Sequence, residues 1–352
     1  MAALGLTGDR LESPEDVVRH LVAVQSQDFG PACWSMAQRS SGSPGRAAVE
    51  ELIQQRKLIR THLLRPTWHF VLPADLGWML DLTGPRVQAF CANYYRREGQ
   101  PLAMRDRATA AMADALAGVI LTRPQLREVL ADAGLDVTGN KPAFLLMNAE
   151  LEGVICGGPR VGKQHGYGLV SELAPGTRRL SRDAAVAELV LRYFTSHGPA
   201  TVHDMSWWSS LTLTDIRAGI EAAGDALVTE VVDGETFHAA AAPRTGTGPR
   251  ARLLQAYDEY LVGYSRTKWL LDPTGIAKAP HAARTLPNMV FIRDTAMVGA
   301  WRAVESDTAV TLQVALLVDP TPAVLRDLDQ AAAEYGRYVG KPADITLLDP
   351  GE

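Results

Sequence analysis

The 352-residue chain is too long for one small domain, and at roughly 150 residues per domain it holds two to four units. Its 47% hydrophobic content is ample for several cores, while a net charge of −5 argues against generic nucleic-acid coating. Cys33, Cys91 and Cys156 are dispersed and form no C-x-x-C pair, which argues against a disulfide frame or a zinc site and for reduced thiols in a cytosolic protein.

Met1 to Arg10 has no apolar core behind a basic start, so no signal peptide is expected. No run approaches ~18 apolar residues, and no membrane span is expected either. From the N-terminus, three segments repeat one plan of helices followed by a β-ribbon. In the first, Ser13 with Asp16 three residues later opens a helix from Pro14 to Val24. Ala47 to Gln55 is a second helix, and Leu58 to Leu72 alternates as a hairpin. In the second segment, Ala108 to Ile120 is helical and Thr122-Arg123-Pro124-Gln125 opens a helix to Ala133. Pro142 to Glu152 is its third helix, and Gly153 to Leu173 is a Gly-rich ribbon. The third segment holds helices at Arg182 to His197, after Thr201, and at Leu213 to Ala223. It ends in a hairpin from Ala226 to Ala240 that turns on Asp233-Gly234.

Helices followed by a hairpin, three times over, predict tandem winged helices over residues 1–107, 108–180 and 181–242. A polar Pro/Gly linker follows at 241–249. Beyond it, Asn288 to Arg293, Ala296 to Ala303 and Ala309 to Leu317 are strand-like, Pro322 to Tyr338 is helical, and a short strand lies near Ile345. Residues 250–352 therefore read as a small β-rich domain, and the fold class as α+β.

The familiar catalytic motifs are missing. Gly157-Gly158-Pro159-Arg160-Val161-Gly162-Lys163-Gln164 nearly matches a phosphate-cradling loop, but Gln164 replaces the magnesium-holding hydroxyl and Pro159 removes a cradle N–H. It reads as a basic turn at a wing tip. The eight histidines are scattered, no metal or cofactor is expected, His203-Asp204 reads as a helix cap, and Trp207-Trp208 read as core.

Two features point to a site. Gln25 and Gln27 close the first apolar helical run just before Gly30-Pro31, where uncharged amides can orient a ligand. The structural alternative is that they satisfy backbone carbonyls at a helix end. The second feature is the acid-free stretch Leu52 to Ala74, with Arg56, Lys57, Arg60 and Arg65. Within it, period-2 geometry sets Arg65, Thr67, His69 and Val71 on one face and Pro66, Trp68 and Phe70 on the other. The expected contacts with a ligand or its phosphates are Arg60, Thr61, His62, Arg65, Thr67 and His69. A solvated basic hairpin is the alternative.

Taken together, Val22-Ala23-Val24-Gln25-Ser26-Gln27-Asp28, Arg60-Thr61-His62 leading to Arg65-Pro66-Thr67-Trp68-His69-Phe70-Val71, Leu82-Thr83-Gly84-Pro85-Arg86-Val87 and Tyr257-Asp258-Glu259-Tyr260-Leu261-Val262-Gly263-Tyr264 resemble the AlkZ/YcaQ-like winged-helix DNA glycosylases. Met297-Val298-Gly299-Ala300-Trp301-Arg302 extends the likeness late into the chain, while Ser265 to Pro287 departs from the family pattern. The resemblance implies three tandem winged helices with a C-terminal β-barrel-like domain. It also implies monofunctional excision of bulky or crosslinking N7- or N3-alkylated purines from double-stranded DNA. The family's catalytic Gln-x-Gln falls on Gln25 and Gln27, the branch linked to self-protection against a genotoxic natural product. A cytoplasmic monomer without cofactor is expected. An N7-alkylated purine is already cationic, so the enzyme has only to place water and stabilise an oxocarbenium-like sugar. One glutamine would position the water and the other the sugar-phosphate, in either assignment.

The rival expectation is a non-enzymatic winged-helix regulator. Against it, Leu213 to Ala223 carries Arg217 beside Asp215 and Glu221, and Pro142 to Glu152 carries no Arg or Lys. Such helices are poor readers of bases or phosphates.

Overall fold

The computed structural model describes residues 1–267 and 289–348. Most of the atypical segment Ser265 to Pro287, and Asn288 at the start of an expected strand, lie outside the described residues.

Ser13 caps α1 (Pro14–Leu21), its Oγ accepting from the Asp16 N–H at 3.2 Å. The helix is shorter than the sequence suggested. It stops at Val22, whose φ of 73° turns the chain, and Val24–Gln25 form the short strand β1. Gly30-Pro31 is no break. It lies in the first turn of α2 (Phe29–Ala37), where a proline has no helical N–H bond to lose. α3 (Arg46–Gln54), β2 (Ile59–Leu63) and β3 (Thr67–Val71) complete the unit.

The sheet order is β1-β3-β2, and His69 stands opposite both Gln25 and Thr61. β3 is thus the central strand, with apolar cores on both sides. Phe70 packs with Trp34, Tyr260 and Phe291, whereas Ile59, Leu63 and Val71 pack with Trp78, Tyr193 and Trp208. The expected polar face open to a ligand is corrected accordingly, and His69 is fully buried.

α4 (Pro73–Arg97), a 25-residue helix with Pro85 inside it, was not anticipated from the sequence. The second unit follows as α5 (Leu102–Ala115), β4 (Leu121–Thr122), α6 (Arg123–Asp132) and α7 (Lys141–Leu151). It closes with β5 (Ile155–Val161), β6 (Gln164–Leu169) and the single turn α8 (Val170–Leu173). Thr122 and Gln125 form a capping box on α6.

The near-miss phosphate motif is the β5–β6 hairpin, turning at Gly162-Lys163. Its glycines have a structural use. A Cβ on Gly157 would meet the Arg60 carbonyl oxygen at 2.1 Å, so only glycine lets β5 approach β2. Gly157→Ala is expected to destabilise the protein by about 2 kcal/mol, read as a lower urea midpoint.

The third unit runs α9 (Arg182–His197), α10 (Val202–Ser209), α11 (Leu213–Ala223), β7 (Leu227–Val232) and β8 (Glu235–Ala240). Its hairpin turns on Asp233 and Gly234, with φ of 50° and 80°, the left-handed pair that an Asp-Gly turn supplies.

The C-terminal part holds β9 (Ala251–Leu254), α12 (Glu259–Val262), β10 (Val290–Arg293), β11 (Ala296–Glu305), β12 (Val310–Leu316), α13 (Pro322–Val339) and β13 (Ala343–Leu348). Among the described residues, none of the four sheets closes into the barrel expected from the resemblance. The sheet is open, ordered β13-β12-β11-β10-β9, with β13 parallel to β12 through the α13 crossover. α13 covers that sheet with Val324, Leu328, Ala332 and Tyr335, in a core shared with Val17, Leu21 and Trp34 of the first unit. Among the described residues no helix is long and apolar enough to cross a membrane. Cys33, Cys91 and Cys156 are free and buried, and burial pushes their thiols up, Cys91 to about 11.

Candidate active site

The glutamine pair sits on an edge strand and the turn after it, not on a helix end. Gln25 is 4% exposed and held at three points. Its N–H donates to Glu259 Oε1 at 3.0 Å, its carbonyl accepts from Gln255 Nε2 at 3.2 Å, and its Oε1 accepts from Arg65 Nη2 at 2.5 Å. A guanidinium can only donate, so the amide oxygen faces Arg65 and the NH₂ is left for another acceptor.

Behind Gln25 lies a buried carboxylate. Glu259 is fully enclosed and also accepts from Trp208 Nε1 at 2.8 Å and His197 Nε2 at 3.2 Å. Arg65 closes the arrangement by donating through Nη1 to the Trp208 carbonyl at 2.7 Å. Next to it, Asp258 and Arg39 form a fully buried bidentate pair at 2.7 and 2.9 Å. These two acids pin the 255–259 segment against β1 and α2.

Gln27 is held through its backbone. Arg60 donates to the Ser26 carbonyl at 3.0 and 2.8 Å and to the Gln27 carbonyl at 3.3 Å, while its guanidinium lies 4.5 Å over the Trp68 ring. The Gln27 Oε1 is buried with no hydrogen-bond partner among the described residues, and so are Ser26 Oγ, Thr67 Oγ1 and His69 Nε2. These unused polar atoms lie on the two segments paired through β1 and β3. His69 Nδ1 is 3.0 Å from the Thr67 carbonyl, which only accepts, so that nitrogen carries the proton. Burial first, then repulsion from Arg65, holds the imidazole well below its ordinary value. His69 is therefore neutral at pH 7 with an accepting lone pair on Nε2.

The structure divides the six expected DNA-contact residues. Arg65 and Thr67 line a cavity of about 540 Å³, together with Gln25, Arg86, Tyr257 and Val262. Arg60, Thr61, His62 and His69 are turned inward. Thr61 and His62 both bind the buried Glu150 of α7, at 3.2 and 2.5 Å. Their physical role is to fix β2 against the second unit, because an enclosed carboxylate needs donors on every side. The exposed cations of the basic stretch are Arg56 and Lys57.

Sequence reasoning missed Gln255 and His197, and it gave no role to Arg86 and Glu259, which lie in stretches that carry the family resemblance. Two adjacent acids inside Tyr257-Asp258-Glu259-Tyr260-Leu261-Val262 were a usable signal, since acids amid apolar residues are buried only when paired. The Trp207-Trp208 reading holds for Trp208, which is fully buried, and fails for Trp207, which is 55% exposed at the cavity. Adjacent residues on a helix point about 100° apart, so one can pack while the other cannot.

Residues 18–338 match the family described as DNA glycosylase AlkZ-like. An interstrand DNA cross-link repair glycosylase of Streptomyces sahachiroi is 28% identical over 356 aligned positions, covering 96% of this chain and 92% of the relative. The solved structure of the Streptomyces sahachiroi DNA glycosylase AlkZ superposes with a TM-score of 0.80 at 24% identity. It covers 99% of this chain and 97% of that one, a likeness of fold. With the profile spanning most of the sequence, the reading as a non-enzymatic regulator is set aside, and the chain belongs to the AlkZ-like DNA glycosylase family.

Proposed function

We propose that this DNA glycosylase hydrolyses the N-glycosidic bond of bulky or crosslinked purines alkylated at N7 or N3, with Gln25 and Gln27 as its catalytic pair. The observation that carries the reading is the fixing of Gln25 at the cavity by Arg65 and Glu259. Crosslinked substrates are favoured by the relative that bears that activity in its name. The three helix–hairpin units are read as winged helices along the duplex.

The chemistry follows from which amide atoms are free. Alkylation already makes the purine a cationic leaving group, so what remains is to hold the sugar-phosphate, place water and oppose the growing positive charge. The oxygen of Gln25 is taken by Arg65, which leaves its NH₂ to donate to a phosphate or ribose oxygen. The oxygen of Gln27 has no protein donor among the described residues, which suits it to accept from the attacking water and to face the oxocarbenium.

A duplex carrying a single 7-methylguanine tests this. Gln25→Ala and Gln27→Ala are each expected to slow base release by about a hundredfold or more with DNA binding retained. Gln27→Glu keeps the acceptor and is expected to retain more activity than Gln27→Ala. Gln25→Glu loses the donor and is expected to match Gln25→Ala. Absence of release from both methyl and bulky N7 adducts, with sequence-specific duplex binding, would overturn the assignment.

A further inference from the structure

We infer that Phe90 and Trp207 form a stacking subsite beside Gln25 for the flat apolar body of a bulky purine adduct. The inference rests on the reading above and adds to it what the cavity selects. Phe90 on α4 is 65% exposed and Trp207 on α10 is 55% exposed, and both line the cavity that holds Gln25. A single exposed aromatic needs no explanation, but two lining one cavity with Pro66, Leu211 and Val262 make a continuous apolar wall.

Both helices that carry the aromatics are tied to their neighbours. Arg86, one turn before Phe90, donates to the Ser210 carbonyl and ties α4 to the end of α10. Ser210 Oγ in turn donates to the Leu64 carbonyl at 2.5 Å. α10 is held at its start by the Thr201–Asp204 capping box and behind Trp207 by the Trp208–Glu259 hydrogen bond. Aromatic rings have few rotatable bonds, and on helices held in this way they stack a planar group at modest entropic cost.

Size gives the occupant. A cavity of about 540 Å³ lies within the range of sites for drug-sized ligands and exceeds what a methylated purine fills. A purine bearing a planar polycyclic group fills it, with the sugar left beside Gln25. The polar lining includes Gln25, Arg65, Thr67 and Tyr257, side chains that can hydrogen-bond to a sugar or phosphate. Phe90 supplies only a ring face, and Trp207 a ring face with a single N–H donor.

The test compares duplexes carrying 7-methylguanine and N7-(pyrenylmethyl)guanine. Trp207→Ala and Phe90→Ala are each expected to lower the ratio of kcat/KM, pyrenyl over methyl, by about tenfold or more. Trp207→Phe is expected to restore most of it. Because both side chains are exposed, thermal melting is expected to stay at the wild-type value, which separates subsite loss from misfolding. Equal losses on both duplexes would mean that the aromatics wedge into DNA of any kind, and would overturn the subsite, as would an unchanged ratio. Wild-type release of 7-methylguanine with an unchanged ratio removes the subsite alone. Release of neither base removes the glycosylase reading and the subsite with it.

Discussion

Asp258→Ala is expected to destabilise the protein by about 3–5 kcal/mol, a loss comparable to the whole stability of a marginal domain. Arg39 and Asp258 are fully buried, and the guanidinium also donates to the Leu4 and Ser35 carbonyls and to Ser35 Oγ. Removing the carboxylate leaves an enclosed cation without its counter-charge. Urea unfolding followed by tryptophan fluorescence reads the change. The double substitution Arg39→Met with Asp258→Leu is expected to recover much of the loss, because the cost comes from the orphaned charge rather than from the pair. A double variant as unstable as the single one would contradict this.

The same pair makes stability depend on pH. Burial pushes the Asp258 carboxyl up, but Arg39 beside it, with the Tyr260 N–H and the Ser35 hydroxyl, leaves it below its ordinary value. A carboxyl with a depressed folded value contributes stability that is present above about pH 4, the unfolded value, and is lost as the pH falls through the folded one. The Asp258 variant is therefore expected to show a flatter stability profile than the wild type below about pH 4.

Glu259→Ala is expected to lower kcat for base release by about a hundredfold while changing KM far less. The carboxylate holds the Gln25 N–H, the Trp208 indole and His197 at once. Truncating it frees the strand that carries Gln25 and the helix end that Arg65 grips through the Trp208 carbonyl. Glu259→Gln keeps an oxygen for the Gln25 N–H but turns an NH₂ toward other donors, so an intermediate rate is expected. Single-turnover excision separates the chemical step from binding. Wild-type kcat in Glu259→Ala, with only stability reduced, would show that Gln25 needs no such support.

Where a structural feature depends on neighbours in sequence, it was legible. α9 runs from Arg182 to His197 as its periodicity indicates, because Ser181 accepts from the Ala184 N–H and Gly198 follows. The hairpin at Asp233-Gly234 and the caps at Ser13, Thr122 and Thr201 are equally local. Where a feature depends on distant pairing, local reading failed. β1 exists because β3 offers it a ladder, so an apolar run that reads as helix ends as strand. β3 lies between two cores, and for that reason the Arg/Thr/His ribbon turns most of its polar side chains inward instead of toward DNA.

The glutamine pair shows the same division. The sequence alone determined that two uncharged amides stand one residue apart, without a nucleophile, metal or nucleotide motif to compete with them, and that this pattern resembles a glycosylase family. Only the tertiary structure decided which amide atoms are free. Arg65 lies 40 residues from Gln25 and Glu259 lies 234 residues away. A hydrogen bond fixes a side chain only when its partner arrives, and here the partners arrive through folding rather than through the local chain.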